Sequence, residues 1–234
     1  VLRPSINEAT IRLLTRHGCE VIIADGAGCC GALVHHMGRE SDSHAAAKAN
    51  IDAWHALDGA DSLDAIVINA SGCGTTVKDY GFMLHSDDTW AEKARWVSEC
   101  TKDITEVMAD LGIATSVLND APAVVYHSAC SMQHGQQITL QPKALLETAG
   151  FDVRSPAEGH LCCGSAGTYN IMQPELAGQL RARKLGNLRA TKAEIVATGN
   201  IGCLEQLSGD ELHVVHTAEL LDWATGGPKP PGLP

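Results

Sequence analysis

Two pairs of adjacent cysteines, Cys29-Cys30 and Cys162-Cys163, are each followed by glycine, and each pair has a Gly-Cys further along the chain, at Cys73 and Cys203. A seventh cysteine, Cys130 in VVYHSACSMQ, precedes the second pair. Cys130, Cys162, Cys163 and Cys203 supply four thiolates from three loops, enough for one 4Fe-4S cluster, and Cys29, Cys30 and Cys73 form a matching, shorter set. Four thiolates also suit zinc, but its usual Cys-x2-4-Cys knuckles are absent, and vicinal cysteines reach two irons of a cluster more easily than two corners of one tetrahedron. Cysteines that merely fill a core need no paired spacing beside glycine. The pattern therefore points to bound iron and sulfide and to electron transfer, with zinc as the rival.

Other residues enter around these thiols. His127 and His160 stand just before the second set, and His35 and His36 just after the first pair, where an imidazole can donate to cluster sulfur or simply serve the fold. Cys19 and Cys100 have no counterparts between the halves and read as ordinary packed thiols. Arg181, Arg183, Lys184 and Arg189 form the one basic stretch of an acidic chain. They read as a solvated helix face, or as charge that offsets a thiolate-ligated centre or docks an acidic partner. No Ser-His-Asp set, phosphate loop, dinucleotide fingerprint or paired carboxylates stand out, so the chain shows no bond-breaking machinery of its own.

The elements that must place these loops repeat. Laying one half on the other aligns Gly18 with Gly150, the two cysteine pairs, and IVINASGC with IVATGNIGC. Cys130 alone has no partner, since its equivalent would precede Val1. The chain, which starts with Val rather than Met, thus looks truncated just inside its first site. Ser5-x-x-Glu8 reads as a capping box opening a helix over 5–17, with Gly18 as its stop. A strand is expected over 20–24, a helix over 39–57, a buried strand over 64–69, and one long helix over 88–111 ending at Gly112. Further strands are expected at 115–118, 123–127, 152–154, 194–197 and 213–215, with helices at 142–149 and 174–189. The alternation implies an α/β protein of two pseudo-repeated lobes, each a parallel sheet flanked by helices. Residues 1–121 form the first lobe and 122–225 the second, and the Pro- and Gly-rich end, 226–234, is disordered or draped. Every cysteine of the two sets follows a strand, where open α/β sheets gather ligands.

Composition narrows the class. A net charge of −11, with 17 Lys and Arg against 28 Asp and Glu, argues against binding nucleic acid. Nine cysteines, an odd number with adjacent pairs, argue against a disulfide framework and for a reducing, cytoplasmic setting. No apolar run reaches the length of a bilayer span, so membrane attachment would be peripheral, at the inner face of the cytoplasmic membrane.

GAGCCGAL with its His-His, and HLCCGSAGTYNIMQPELAGQLRARKL with ATGNIGC, resemble the duplicated cysteine-rich CCG domain. That domain is shared by heterodisulfide reductase B subunits, lactate-utilisation iron–sulfur proteins and glycolate oxidase iron–sulfur subunits, and the likeness to the last is greatest. The resemblance implies an electron relay from flavin-containing glycolate oxidase subunits, which oxidise glycolate to glyoxylate, toward a quinone-type acceptor. It also implies an N-terminal domain with ferredoxin-type clusters and a first-lobe cysteine, neither of which lies within these residues. Heterodisulfide reductase sites end in Cys-x-x-Cys. Here Thr76 follows Cys73 and Gln206 follows Cys203, which argues against a noncubane cluster and against disulfide reduction.

Overall fold

The computed structural model describes residues 2–57, 63–209 and 212–233. The second half is built on a four-stranded parallel sheet of β3 (Ala123–Tyr126), β4 (Asp152–Arg154), β5 (Ile195–Thr198) and β6 (His213–His216), in the order β4-β3-β5-β6. The first half holds a two-stranded parallel sheet of β1 (Ile66–Ile68) and β2 (Thr101–Asp103). Parallel strands need crossovers, and helices supply them: α1 (Pro4–Arg16), α2 (Ala32–His36), α3 (Glu40–His55), α4 (Ser71–Lys78), α5 (Tyr80–Met83), α6 (Ala91–Cys100) and α7 (Ile104–Leu111) in the first half. In the second are α8 (Gln141–Thr148), α9 (Tyr169–Met172), α10 (Pro174–Arg189), α11 (Ile201–Leu207) and α12 (Thr217–Ala224), with a π-helical turn at Ser131–Gly135. The strands at the centre are apolar because both faces are covered: all four residues of β5 are buried.

The pseudo-repeat is visible in the capping chemistry. Asp103 and Glu106 close a capping box at the start of α7, and His216 and Glu219 close the equivalent one at α12. His216 can fill an aspartate's role because burial holds its ring down at about 4, leaving Nδ1 an acceptor for the Ala218 amide. The two halves share a core. Leu13 and Leu14 of α1 and Ile104 and Met108 of α7 pack with Val124, Ile195, Leu220 and Leu221, each such side chain contributing about 1.5–3 kcal/mol of burial. Asp222 of α12 pins α1 by accepting from Arg12 Nη2 at 2.7 Å and Arg16 Nη1 at 2.8 Å.

Four expectations are corrected. Residues 20–24 do not form a strand. Their equivalent, β4, pairs with β3, and no strand stands in β3's place among the described residues of the first half, so Ile22 and Ile23 stay 50% and 72% exposed. Residues 115–118 likewise run without strand pairing, tied instead by the Val117 amide to the Ala224 carbonyl at 2.8 Å. The long helix over 88–111 is split into α6 and α7 by β2, which pairs with β1. The first helix is entered by Pro4 at its first turn with Arg3 as cap residue, so the Ser5–Glu8 box is not made. The terminal segment lies against the protein, with Pro230 buried and Leu233 packed on the shared core. Pro234 lies outside the described residues.

Candidate metal centre

Because β3, β4 and β5 are parallel, the loops leaving their C-terminal ends open on the same edge of the sheet. Cys130 follows β3, Cys162 and Cys163 follow β4, and Cys203 lies in the first turn of α11, just after β5. The chain crosses from one side of β3 to the other between β4 and β5, which makes this edge a topological switch point. The crevice there collects all four thiols.

They touch in series. Cys130 contacts Cys162, Cys162 contacts Cys163, and Cys163 Sγ lies 3.2 Å from Cys203 Sγ. Sharing protons splits their acidities. Cys162, accepting from Cys130 and Cys163 and then from the Gly164 amide, is held down at about 2. Cys203, accepting from Cys163 and helped by His127 and Asn200, is also held well below an ordinary thiol, against the pull of its burial. Cys130 and Cys163 are pushed up as the donors. The four thiols thus share protons at close range, and the thiolate is the form that ligates metal. Main-chain and side-chain donors are aimed at sulfur: Gly164 N to Cys162 Sγ at 3.3 Å, Ser165 N to Cys163 Sγ at 3.5 Å and Asn200 Nδ2 to Cys203 Sγ at 3.5 Å.

His127 closes the floor of the site. Its ring is only 1% exposed, a ring nitrogen lies within 4.8 Å of the sulfurs of Cys163 and Cys203, and neither nitrogen makes a well-formed hydrogen bond with the protein. A buried imidazole without partners costs about 1–3 kcal/mol, which a bound centre with acceptor sulfur would offset. The glycine after each pair is required by geometry. Gly164 has φ +96° and a Cβ there would sit 2.5 Å from the Ala177 carbonyl oxygen, while Gly31 has φ +82° and would press on Ser43.

The first half gathers three thiols. Cys30 contacts Cys73, with Cys29 near enough to act on Cys73 by charge; Cys30 is pushed up by that contact and by burial, and Cys73 is lowered. The pair's loop is held by buried Asn50, which accepts from the Gly28 amide at 2.7 Å and donates to the Cys29 carbonyl at 3.0 Å. Tyr80 Oη donates to the Cys30 carbonyl at 2.8 Å.

The sequence pattern of the cysteine-rich domain designated CCG matches residues 1–78 and 124–208. The chain belongs to this cysteine-rich family. The two matched CCG stretches carry the two thiol sets. Among the family's relatives, the chain is similar to the glycolate oxidase iron–sulfur subunit of Escherichia coli K12, with 39% identity over 95% of this chain and 55% of that protein. It is also similar to the probable glycolate oxidase iron–sulfur subunit of Bacillus subtilis 168, at 34% over 94% of this chain and 51% of that protein. To lactate utilization protein A of Shouchella clausii KSM-K16 it is 26% identical, over 95% of this chain and 94% of that protein. The chain spans about half the length of the two glycolate oxidase relatives.

The two CCG sites face a common seam. Ser71, two residues before Cys73, receives from its neighbour half a 2.8 Å contact with Ser131 Oγ and a 3.0 Å bond from Gln136 Nε2 to its carbonyl, and its amide donates to the Gly199 carbonyl at 3.0 Å. Gly72 N donates to Asn200 Oδ1 at 3.2 Å. The segments that carry Cys73, Cys130 and Cys203 are therefore bonded to one another. His36 lies against Gly167, while His35 and His160 make no contact with the thiols among the interactions described. Cys19 packs on the shared core and Cys100 in the first half's own core. Asn50 and Tyr80 were not marked by any motif, and Asn200 lay inside ATGNIGC without being singled out. Their only signal is that each stands in an element next to a cysteine loop.

Proposed function

We propose that the chain is an iron–sulfur electron-transfer subunit of a flavin-linked 2-hydroxyacid oxidoreductase, itself non-catalytic, with glycolate as the preferred substrate of the complex. The observation that carries this reading is the convergence of Cys130, Cys162, Cys163 and Cys203 with the buried ring of His127 on one sheet edge. Four sulfur donors from three loops fit a 4Fe-4S cluster, and when bound it supplies one-electron chemistry. The protein's own part is to fix the sulfurs, to aim N–H donors at them, and to keep Cys163 and Cys203 out of water. Cys29, Cys30 and Cys73 are proposed as ligands of a companion site, with residues 1–121 and 122–225 as the two functional halves. A zinc-bearing module that tethers the flavin subunit is the competing reading, since four thiolates satisfy zinc too.

The electron source in this proposal is a flavin subunit and the acceptor a quinone or similar carrier, in the cytoplasm or at the inner face of its membrane. No described helix is long and apolar enough to cross a membrane. The higher identity to the glycolate oxidase relatives than to the lactate one, 39% against 26%, puts glycolate first. Copurification with the flavin subunit, followed by dye reduction with each acid, tests the assignment. Glycolate should drive reduction that depends on the cysteine-rich chain, and a complex equally fast without this chain would contradict its role as relay.

A further inference from the structure

The second helix after each cysteine pair is 16 residues long in both halves, α3 and α10. The same place along it is occupied by Asn50 in α3 and by Lys184 in α10. Both side chains are buried, at 2% and 0% exposure. Both do the same mechanical work on the loop that carries the adjacent cysteines. Asn50 bonds Gly28 N and Cys29 O, and Lys184 Nζ donates to the Glu158 carbonyl at 2.9 Å and the Gly159 carbonyl at 3.4 Å. An amide suffices for that task, as α3 shows. The second half uses a cation instead.

None of the described ion pairs includes Lys184. Glu158, whose charge acts on Lys184, is already bonded by Arg183 and by Asn187 Nδ2 at 2.9 Å. The other three members of the basic stretch differ from Lys184: Arg183 pairs with Glu158 at the surface, Arg181 donates to the Gln206 carbonyl at 2.6 Å, and Arg189 ends the helix. Burial pushes the Lys184 ammonium down, and the sulfurs of Cys163, Cys162 and Cys203 lie near enough to oppose that when they are ionised or ligate a centre. An ammonium fixed in a region of low dielectric stabilises added negative charge nearby far more than a solvated lysine does.

We infer that Lys184 is a positioning residue that also raises the reduction potential of the centre held by Cys130, Cys162, Cys163 and Cys203. The inference rests on the proposed iron–sulfur reading of that site. On reduction one electron enters the centre from a reduced flavin or a chemical donor, no proton moves, and the added negative charge is met by the ammonium. Asn50 gives the first half no such compensation, so the two halves of the repeat differ in their affinity for an electron.

Lys184→Gln keeps a donor for the two carbonyls and removes the charge, Lys184→Asn installs the residue of the first half, and Lys184→Arg keeps the charge. After anaerobic reconstitution each is assayed for iron and sulfide and titrated potentiometrically with electron paramagnetic resonance as the readout. The Gln and Asn proteins should retain iron, with a more negative midpoint and a reduced-to-oxidised ratio lower by about tenfold at a fixed poise, and the Arg protein should stay near the parent. An unchanged midpoint in an iron-replete Gln protein would overturn the inference. So would loss of iron from the Gln and Asn proteins, which would assign Lys184 to loop support alone. A parent chain that takes up no iron or sulfide would instead defeat the iron–sulfur reading itself.

Discussion

Cys163→Ser will strip the second site of its iron and sulfide and lower electron transfer through the chain by at least about 100-fold, a larger loss than removal of an outer-shell partner gives. Cys163 is the middle of the chain of contacts, touching Cys162 on one side and Cys203 at 3.2 Å on the other, and it is only 1% exposed. A serine oxygen there is a hard, poorly ionised donor among soft sulfurs. Cys100→Ser is the matched control. Cys100 packs in the first half's core and its thiol is pushed up by burial, so it is neither bonded to the site nor poised as a thiolate. Iron and sulfide per chain, measured on both variants, should separate them cleanly. Equal, mild losses in the two would contradict the assignment of ligands.

The second large effect is on stability. Asp222 has a side chain 1% exposed and receives Arg12 through Nε at 2.8 Å and Nη2 at 2.7 Å, and Arg16 through Nη1 at 2.8 Å. It is the only carboxylate described that joins α1 to α12, and α1 brings Leu13 and Leu14 into the core both halves share. Asp222→Ala leaves two partly exposed guanidinium groups without their shared carboxylate, and losing hydrogen bonds to a charged group costs about 1.5–3 kcal/mol. That is a large part of a domain's total stability. Arg12→Ala should cost less, about 1 kcal/mol, because Arg12 is partly exposed and Arg16 still serves the carboxylate. Urea unfolding measures both, and a midpoint of the Asp222→Ala protein within error of the parent would refute this account of how the halves are locked.

What could be read from the sequence divides along a physical line. The thiol sets, the glycines beside them and the strands 123–126, 152–154, 195–198 and 213–216 were legible because each is a local pattern: an apolar run between turn residues, or a cysteine at a strand's end. Residues 20–24 have a strand's composition, yet a strand exists only by pairing, and its neighbour is a matter of tertiary structure. The break at Thr101–Asp103 escaped because Ala94, Val97, Ile104 and Met108 keep helical spacing across it. The sign was there in Asp103-x-x-Glu106, a capping box as clear as the Ser5-x-x-Glu8 one that the structure does not use.

The site was legible in its sulfurs and not in its supports. Asn50 and Tyr80 reach the cysteine loop from elements far off in sequence, and a polar residue on a helix carries no mark of which loop it will meet. Lys184 stood in a basic run whose solvated reading suits Arg183 but not Lys184. Helical rotation turns one neighbour outward and the next into the loop before Cys162.

The central claim is that the second site holds iron and sulfide. Anaerobic reconstitution of the chain with ferrous iron and sulfide, followed by metal analysis and visible spectroscopy, tests it most directly. The account predicts stoichiometric iron and sulfide with broad visible absorption that bleaches on adding dithionite. A colourless protein carrying stoichiometric zinc in place of iron would contradict it.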